Sequence, residues 1–464
     1  MSIAPRRAFQ ALTGLLCAVL VLAGCTMTVQ GSGEYAEGGV KKNAPPSDLK
    51  IQNSDGSEID QQVANALDDA FAYWKKEMPK VFGQDFQEPA GGIYSYVPEQ
   101  SEPIPCFEGD NQSAAQNAFY CPAEDLIAFD RNFMTELSDT YGPFLVALVM
   151  AHEVGHLVQA QTTGLNTDKA IALETQADCY AGSFSEAAQK GTEYYKLTSE
   201  DLDAVLGGYL LFRDQPGASA DDPSSHGSGF DRVAAFQEGF YDGAGYCKGA
   251  FGPDREYTEF AYNKNEQKTG GNLAYDKIVP AAETEFNAFG SEIADEEGES
   301  WDDIALEPAS GTVTCDGKKQ QDKVYYCPQD ATVLHDEDGV TSTAYDKYGD
   351  YAVMQLFAMA YADAILDVTG SKTKKADRLT ARLCLSGVYA GDALEKTVEG
   401  QSTAGGLTLS PGDLDEAIAL LIGIGEEDQV ISTYKVDAFE RINAFREGFN
   451  AGREDGITAL ACAT

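Results

Sequence analysis

Positive charge is scarce in this sequence. Its 464 residues include 33 lysines and arginines against 75 aspartates and glutamates, a formal net charge of −42 at pH 7. A surface this acidic repels the phosphates of nucleic acids and the headgroups of anionic lipids. We therefore expect no nucleic-acid binding. The length allows two or three ordinary domains.

The apolar run near the N-terminus, residues 12–23, is too short to span a membrane comfortably. It follows Arg6 and Arg7, as in a signal peptide. It ends in Leu22-Ala23-Gly24-Cys25, which resembles the lipobox of bacterial lipoproteins. That resemblance implies removal of residues 1–24 and acylation of Cys25, with palmitate as one of the acyl chains. Alternatives are a plain secretory signal or a single anchor helix.

A lipid on Cys25 predicts an exported protein, anchored on the extracytoplasmic face of the cell membrane. Residues 25–48 would then form a flexible tether. Apart from Cys17 and Cys25, eight cysteines remain. An even number of cysteines in an exported chain predicts disulfides, although it does not fix their connectivity.

An internal repeat divides the rest of the chain. Four pairs of segments match in the same order: residues 88–90 with 307–309, 120–122 with 326–328, 141–164 with 348–370, and 235–240 with 444–449. We interpret this as a tandem duplication, with copies at residues 49–250 and 272–464 joined by a linker at 251–271. The simplest disulfide pairing is within each copy: Cys106 with Cys121, Cys179 with Cys247, Cys315 with Cys327, and Cys384 with Cys462. Bridges between the copies are the alternative.

Histidine is also rare, with four in the chain. Two of them form the motif His152-Glu153-Val154-Gly155-His156, within an apolar stretch that predicts a buried helix. Residues four apart share a helical face, so both imidazoles can bind one zinc ion. Glu153 is rotated off that face, as a base that takes a proton from zinc-activated water needs to be. The alternative is two core histidines satisfied by hydrogen bonds.

A catalytic zinc site needs a third protein ligand. Downstream, Glu174 and Asp178 are again four apart on a predicted helix. We predict that Glu174 binds zinc and that Asp178 accepts the N–H of a ligand histidine. The swapped assignment, or two carboxylates on a solvated face, are the alternatives.

Residues 151–156 and 173–182 together resemble the bacterial neutral zinc metallopeptidase family, and more generally the gluzincin group. The resemblance covers most of the first copy. It implies an α+β, mostly helical domain of minigluzincin type, with a short sheet whose edge strand holds an extended peptide. It includes residues 225–228 and Arg232, but the sequence departs from the family pattern at residues 229–231.

The two other histidines are His226 and His335. His226 lies between serine and glycine, and we weigh it evenly as a donor to the oxyanion of peptide hydrolysis or as a loop or surface residue. His335 lies in an acidic segment, so we expect it at the surface.

The second copy has lost the site. At the positions of His152, Glu153 and His156, it has Met359, Ala360 and Asp363; at those of Glu174, Asp178 and His226, it has Leu379, Leu383 and Lys435. Cysteines, glycines and apolar residues are kept. We interpret this copy as inactive, packed on the first copy and helping to bind substrate or a partner.

These observations predict a zinc metallopeptidase at the cell surface, with one Zn²⁺ per chain and Glu153 as general base. Its partners would be a peptide or protein substrate and the membrane. The alternative is a non-catalytic exported scaffold or binding lipoprotein stabilised by zinc. A zinc store is disfavoured, because the sequence has no histidine-rich tract.

Overall fold

The computed structural model describes residues 38–107, 111–162, 169–309, 311–424, 430, 436–457 and 462. The predicted signal peptide, Cys25, most of the tether and Lys435 lie outside these residues. The predictions for them stay predictions, as do the predicted domain limits.

The described chain is mostly helical with small sheets, which confirms the predicted α+β class. Its first half contains, in order, β1 (Ile51–Gln52), α1 (Glu58–Phe82), β2 (Gly92–Tyr96), β3 (Ala118–Cys121), β4 (Leu126–Asp130), α2 (Arg131–Tyr141), α3 (Pro143–Gln161), α4 (Ala170–Lys190), α5 (Ser199–Tyr209) and α6 (Gly229–Ala250). Helix α6 is interrupted at Gly243, whose φ of 77° is not helical.

The second half presents a similar order of elements. It contains α7 (Tyr275–Glu297), β5 (Ala305–Ala309), β6 (Thr314–Cys315), β7 (Lys318–Lys319), β8 (Val324–Cys327), β9 (Thr332–Asp336), α8 (Ser342–Tyr348), α9 (Asp350–Val368), α10 (Ala376–Val398), α11 (Asp413–Gly423) and α12 (Ala438–Asp455).

Each half has one principal sheet. In the first, the strand order is β1-β2-β4-β3, with β3 antiparallel to β4 and the other pairs parallel. In the second, the order is β5-β9-β8, and β6 and β7 form a separate hairpin. Among the described strands, β3 therefore forms one edge of the first sheet.

Helices α3 and α9 form the centres of the two halves. Both are 19 residues long and apolar enough to cross a membrane, yet 67% and 83% of their most apolar windows are buried inside the fold. Burial on nearly all sides accounts for their composition, because a core helix needs no polar face. Pro143 starts α3, where a missing backbone N–H costs nothing.

The close crossing of α4 with α6 depends on two glycines. A Cβ on Gly182 would overlap the carbonyl oxygen of Phe236, and one on Gly239 would overlap that of Cys179. Gly387 and Gly448 allow the same approach between α10 and α12. Disulfides add covalent links: Cys179 on α4 bonds to Cys247 near the end of α6, and Cys384 on α10 bonds to Cys462, beyond the end of α12.

Two further disulfides, Cys106–Cys121 and Cys315–Cys327, lie beside the sheets. All four bridges stay within one half, which confirms the predicted pairing. The prediction for His335 is wrong: its side chain is completely buried on β9, its ring 5.0 Å from that of Phe357. Asp336 is the last residue of β9 and is also buried, and only the acidic residues after it lie beyond the strand, so the acidic run gives a wrong indication of where the histidine lies.

The two halves share one continuous apolar core. The ring of Phe230 lies 4.6 Å from that of Phe449, and the ring of Phe240 lies 4.8 Å from that of Phe439. These contacts pack α6 of the first half against α12 of the second.

Hydrogen bonds between the halves are reciprocal. Asp203 on α5 accepts the backbone N–H groups of Ala438 and Phe439 at 2.9 and 2.8 Å, at the start of α12. Asp415 on α11 accepts the N–H of Phe230 at 2.9 Å, at the start of α6. Each half therefore caps the last helix of the other, which satisfies N–H groups that have no partner within their own helix.

Candidate metal centre

Three predicted ligands lie on facing sides of α3 and α4. His152 and His156 are one turn apart on α3, and Glu174 is in the first turns of α4. The helices approach closely because Gly155 has no side chain: a Cβ there would lie 3.0 Å from the Cα of Ala177.

The ligand atoms of these residues form a tight triangle. The Nε2 atoms of His152 and His156 are 3.1 Å apart, and they lie 3.2 and 3.5 Å from the two carboxylate oxygens of Glu174. Tetrahedral zinc with bonds of roughly 2.0–2.1 Å separates neighbouring ligand atoms by about 3.3–3.4 Å. The separations between these ligand atoms are close to those around a tetrahedral zinc ion.

The hydrogen bonds of the imidazoles also fit a metal. Nδ1 of His152 lies 2.8 Å from Oδ1 of Asp178, and Nδ1 of His156 lies 2.9 Å from Oε1 of Gln159. Carboxylate and amide oxygens accept, so both Nδ1 atoms donate in the neutral rings. Both Nε2 atoms then present lone pairs to each other, an arrangement that a cation stabilises.

Asp178 is fully buried and paired on both sides. Besides His152, it accepts from Nε and Nη2 of Arg232 at 2.8 and 2.9 Å. Burial alone would raise the pKa of Asp178, but the charge of Arg232 and the hydrogen bonds from His152 and Arg232 outweigh it and lower the pKa. The guanidinium is itself fixed by the carbonyl of Phe212, 2.7 Å away. The carboxylate therefore remains ionised where it orients His152.

A second chain of hydrogen bonds, missed from the sequence, supports His156. Gln159 donates to the carbonyl of Leu173 at 2.7 Å and to Gln176 at 3.1 Å, and Gln176 donates to the carbonyl of Cys247 at 3.0 Å. The position of Gln159, three residues after His156 on one helix, is the sequence signal that could have indicated its role. This chain ties His156 to the Cys179–Cys247 bridge.

Glu153 lies outside the triangle of ligand atoms. Its Oε2 accepts the backbone N–H of Tyr120 at 2.8 Å, on the edge strand β3. Burial raises the pKa of the Glu153 carboxyl above its ordinary value. A buried carboxylate beside the metal ligands and held by the edge strand is positioned to exchange a proton.

His226 lies in the loop before α6, with a half-exposed side chain. Its backbone N–H donates to Oδ2 of Asp214 at 2.6 Å, and its Nδ1 lies 3.5 Å from Oδ1 of the same residue. The hydrogen bond to Asp214 raises the pKa of His226, and the carboxylate of Glu174 adds to the effect. Asp214, whose role the sequence did not reveal, thus holds the loop that carries His226.

The second half has no equivalent cluster among its described residues. Met359, Ala360 and Asp363 lie on α9, while Leu379 and Leu383 lie on α10. Asp363 pairs with Nε of Arg378 at 2.7 Å instead of facing metal ligands. Apolar packing and an ion pair occupy the corresponding place.

Comparison with known proteins agrees with this centre. The family described as "Putative neutral zinc metallopeptidase" matches residues 4–249, just over half of the sequence. The chain belongs to this family.

Two relatives show how far the similarity extends. Protein YpfJ of Escherichia coli K12 is 24% identical over 253 residues, which cover 50% of this chain and 83% of YpfJ. Protein Rv2575 of Mycobacterium tuberculosis H37Rv is 28% identical over 157 residues, which cover 28% of this chain and 54% of the relative. Neither name states an activity. No solved structure matches the chain significantly.

Replacing Asp178 by asparagine should weaken zinc binding about 10–100-fold, because a neutral amide supports the His152 tautomer less well. Competition with a chromophoric chelator measures the affinity. Asp242→Asn, on the exposed surface of α6, is the matched control and should bind zinc like the parent protein. Unchanged affinity in Asp178→Asn would remove this residue from the support of the metal ligands.

Proposed function

We propose that this protein is a zinc-dependent metallopeptidase that hydrolyses peptide bonds at the cell surface. The observation that carries the proposal is the triangle of His152, His156 and Glu174 atoms with Glu153 beside it, outside the ligand set. Three protein ligands and a separate carboxylate are the parts that metal-assisted hydrolysis needs.

The three ligands would hold one zinc ion, which when bound supplies a Lewis acid and lowers the pKa of water. Glu153 accepts the proton of the attacking water and passes it to the leaving amine. Its raised pKa suits both steps, since a base that must return its proton works best with a pKa nearer neutrality. The hydrogen bond from Tyr120 keeps the carboxylate in place during the transfer.

The substrate proposed is an extended peptide along the edge strand β3. An edge strand presents unpaired backbone groups on one side, and a peptide can add to them as a further strand. Because Tyr120 of β3 contacts Glu153, a peptide bound here would run past the general base. The raised pKa of His226 favours its charged form, which would donate a hydrogen bond to the developing oxyanion.

Glu153→Gln should retain one zinc per chain but reduce kcat for peptide cleavage by about 10²–10⁴-fold, because the amide cannot accept the proton. The measurement combines elemental analysis with cleavage of a mixed fluorogenic peptide library. The control, Glu186→Gln on the outer side of α4, should keep both properties.

A non-catalytic scaffold would give a different pattern. If the parent protein binds zinc but leaves the whole library uncut, or if Glu153→Gln cleaves as fast as the parent, the peptidase assignment fails. His156→Ala separates the two ideas further, since a zinc-stabilised scaffold would lose structure with its metal even without any activity.

We also propose that the second half is a degenerate tandem copy that positions the first. The similar order of elements, the equal lengths of α3 and α9, and the matching disulfides support the duplication. The second half would contribute Asp415, whose side chain caps the start of α6. Helix α6 is the helix that carries Arg232. Through Arg232 and Asp178, this cap connects the second half with His152.

The reciprocal caps provide a matched pair for a test. Asp415→Ala and Asp203→Ala should each lower the free energy of unfolding by about 1–2 kcal/mol, as the loss of a helix cap does. Only Asp415→Ala should also weaken zinc binding, because Asp203 caps α12, which carries no metal support. Chemical denaturation and chelator competition measure the two effects. Equal zinc affinities in the two variants would contradict a positioning role for the second half.

The location proposed is the extracytoplasmic membrane face, through a lipid on Cys25. The four disulfides support an oxidising compartment. The Cys25→Ser variant should no longer be found in the membrane fraction and should no longer incorporate labelled palmitate, because the acylated residue is removed. A variant that stays membrane-bound would disprove this anchor, and Cys17→Ser is the matched control.

A further inference from the structure

A cavity of about 450 Å³ lies in the second half, away from the proposed zinc ligands. Asp350, the first residue of α9, and Asp413, the first residue of α11, line it together with Tyr351, Met354 and Tyr389. Glu416 lies one turn after Asp413. We call Asp350, Asp413 and Glu416 the acidic cluster.

The acidic cluster brings three carboxylates unusually close. One oxygen from each residue lies within 4.8 Å of one oxygen from each of the others. Asp350 and Asp413 are each only 6% exposed, and Glu416 is partly buried. Three carboxylates in so little space repel one another strongly when ionised.

Backbone groups satisfy part of the acidic cluster. Asp350 Oδ2 accepts from the N–H of Leu273 at 2.8 Å, Asp413 Oδ2 from that of Ser410 at 2.7 Å, and Glu416 Oε2 from that of Tyr351 at 2.8 Å. The other oxygen of Asp350, Oδ1, is buried with no hydrogen-bond partner in the described structure. A buried carboxylate oxygen needs a partner that the described residues do not supply here, and a bound cation is one such partner.

Among the described residues, no basic side chain compensates the acidic cluster. The charged groups that act most on these carboxyls are the three themselves and Glu266, which is also acidic. Burial and this repulsion raise the pKa of Asp413 and Glu416 well above their ordinary values. The N-termini of α9 and α11 supply only partial positive charge, about half a unit each.

The first half builds the same fold without these acids. Helix α9 begins after Gly349 with Asp350, whereas α3 begins after Gly142 with Pro143. Matching Asp413-Leu414-Asp415-Glu416 of α11 to Asp201-Leu202-Asp203-Ala204 of α5 places Ala204 at Glu416. Asp413 alone has an acidic counterpart, Asp201, which caps its own helix at the N–H of Thr198. The fold therefore does not require Asp350 or Glu416.

We propose that the acidic cluster binds one Ca²⁺ ion. Calcium takes oxygen ligands at about 2.3–2.6 Å, so two of its ligand oxygens are at most about 5 Å apart, which the cluster satisfies. Its six to eight ligands would be completed by water from the adjoining cavity. An all-oxygen set is poorly suited to zinc, which prefers nitrogen and sulfur.

Calcium here would also brace the contact between the halves. Helix α11 carries Asp413 and Glu416 on one side and Asp415, the cap of α6, between them. An ion that joins α11 to the start of α9 would reduce the freedom of α11, and with it that of the cap.

Calorimetric titration of the purified full chain, loaded with zinc and freed of other metals, tests the proposal. We expect one equivalent of Ca²⁺ to bind, and Tm to rise by at least about 2 °C at saturation. Mg²⁺ should bind more weakly, because it demands a smaller octahedral site. No heat and no change in Tm up to about 10 mM Ca²⁺, above the range of extracellular calcium modules, would overturn the proposal.

Variants locate the site. Asp350→Asn, Asp413→Asn and Glu416→Gln should each weaken Ca²⁺ binding at least about 10-fold, because each removes one anionic ligand. Without Ca²⁺ they should be no less stable than the parent, since each removes a repelling charge. Asp295→Asn, exposed on α7, is the control and should bind Ca²⁺ like the parent.

Undiminished Ca²⁺ binding in all three variants would place the ion elsewhere and refute the site. The His156→Ala variant lacks a zinc ligand but should keep the Ca²⁺ response. The calcium proposal can therefore hold even if the peptidase proposal fails. A response to Mg²⁺ alone would overturn the choice of calcium.

Discussion

The buried carboxylate of Asp178 is the point on which the candidate metal centre depends. It lies on α4, accepts from His152 on α3, and accepts two hydrogen bonds from Arg232 on α6. Burying a charge is unfavourable unless it is paired and hydrogen-bonded, and here both partners are present. Because this one side chain joins three helices, the relative positions of α3, α4 and α6 set the orientation of His152, a candidate metal ligand.

The second half shows that the fold itself does not need this carboxylate. Its helices α10 and α12 cross at Gly387 and Gly448 as α4 and α6 do, with Leu383 in the place of Asp178. Arg441, the counterpart of Arg232, donates instead to the backbone carbonyls of Leu421, Val436 and Ile424. Glycine and the disulfides preserve the crossing, whereas the charged pair is dispensable for it. The network around Asp178 is therefore best explained by what it does for His152.

The predictable part of the site is the part that is local in sequence. The spacing of His152 and His156, and of Glu174 and Asp178, gives shared helical faces, and the repeat gives the disulfides. The roles of Gln159 and Asp214, the N–H of Tyr120, and the reciprocal caps depend on contacts between distant segments. No periodicity encodes such contacts. The wrong placement of His335 has the same origin, because the acidic residues that follow it in the chain do not reveal that a strand buries the histidine.

The two halves differ in how their buried carboxylates are paired, and this difference affects which metal each half could select. The first half pairs Asp178 with Arg232 and leaves two nitrogens and a carboxylate converging, a ligand set suited to zinc. The second half collects three carboxylates without a basic partner, a set suited to a harder cation. Because ligand chemistry separates these metals, the proposed zinc and calcium sites would select different ions. If the second half is a degenerate copy, as proposed above, it would have lost the nitrogen ligands of the first half and gained oxygen ligands at other positions, while the glycine-lined helix crossings stayed the same.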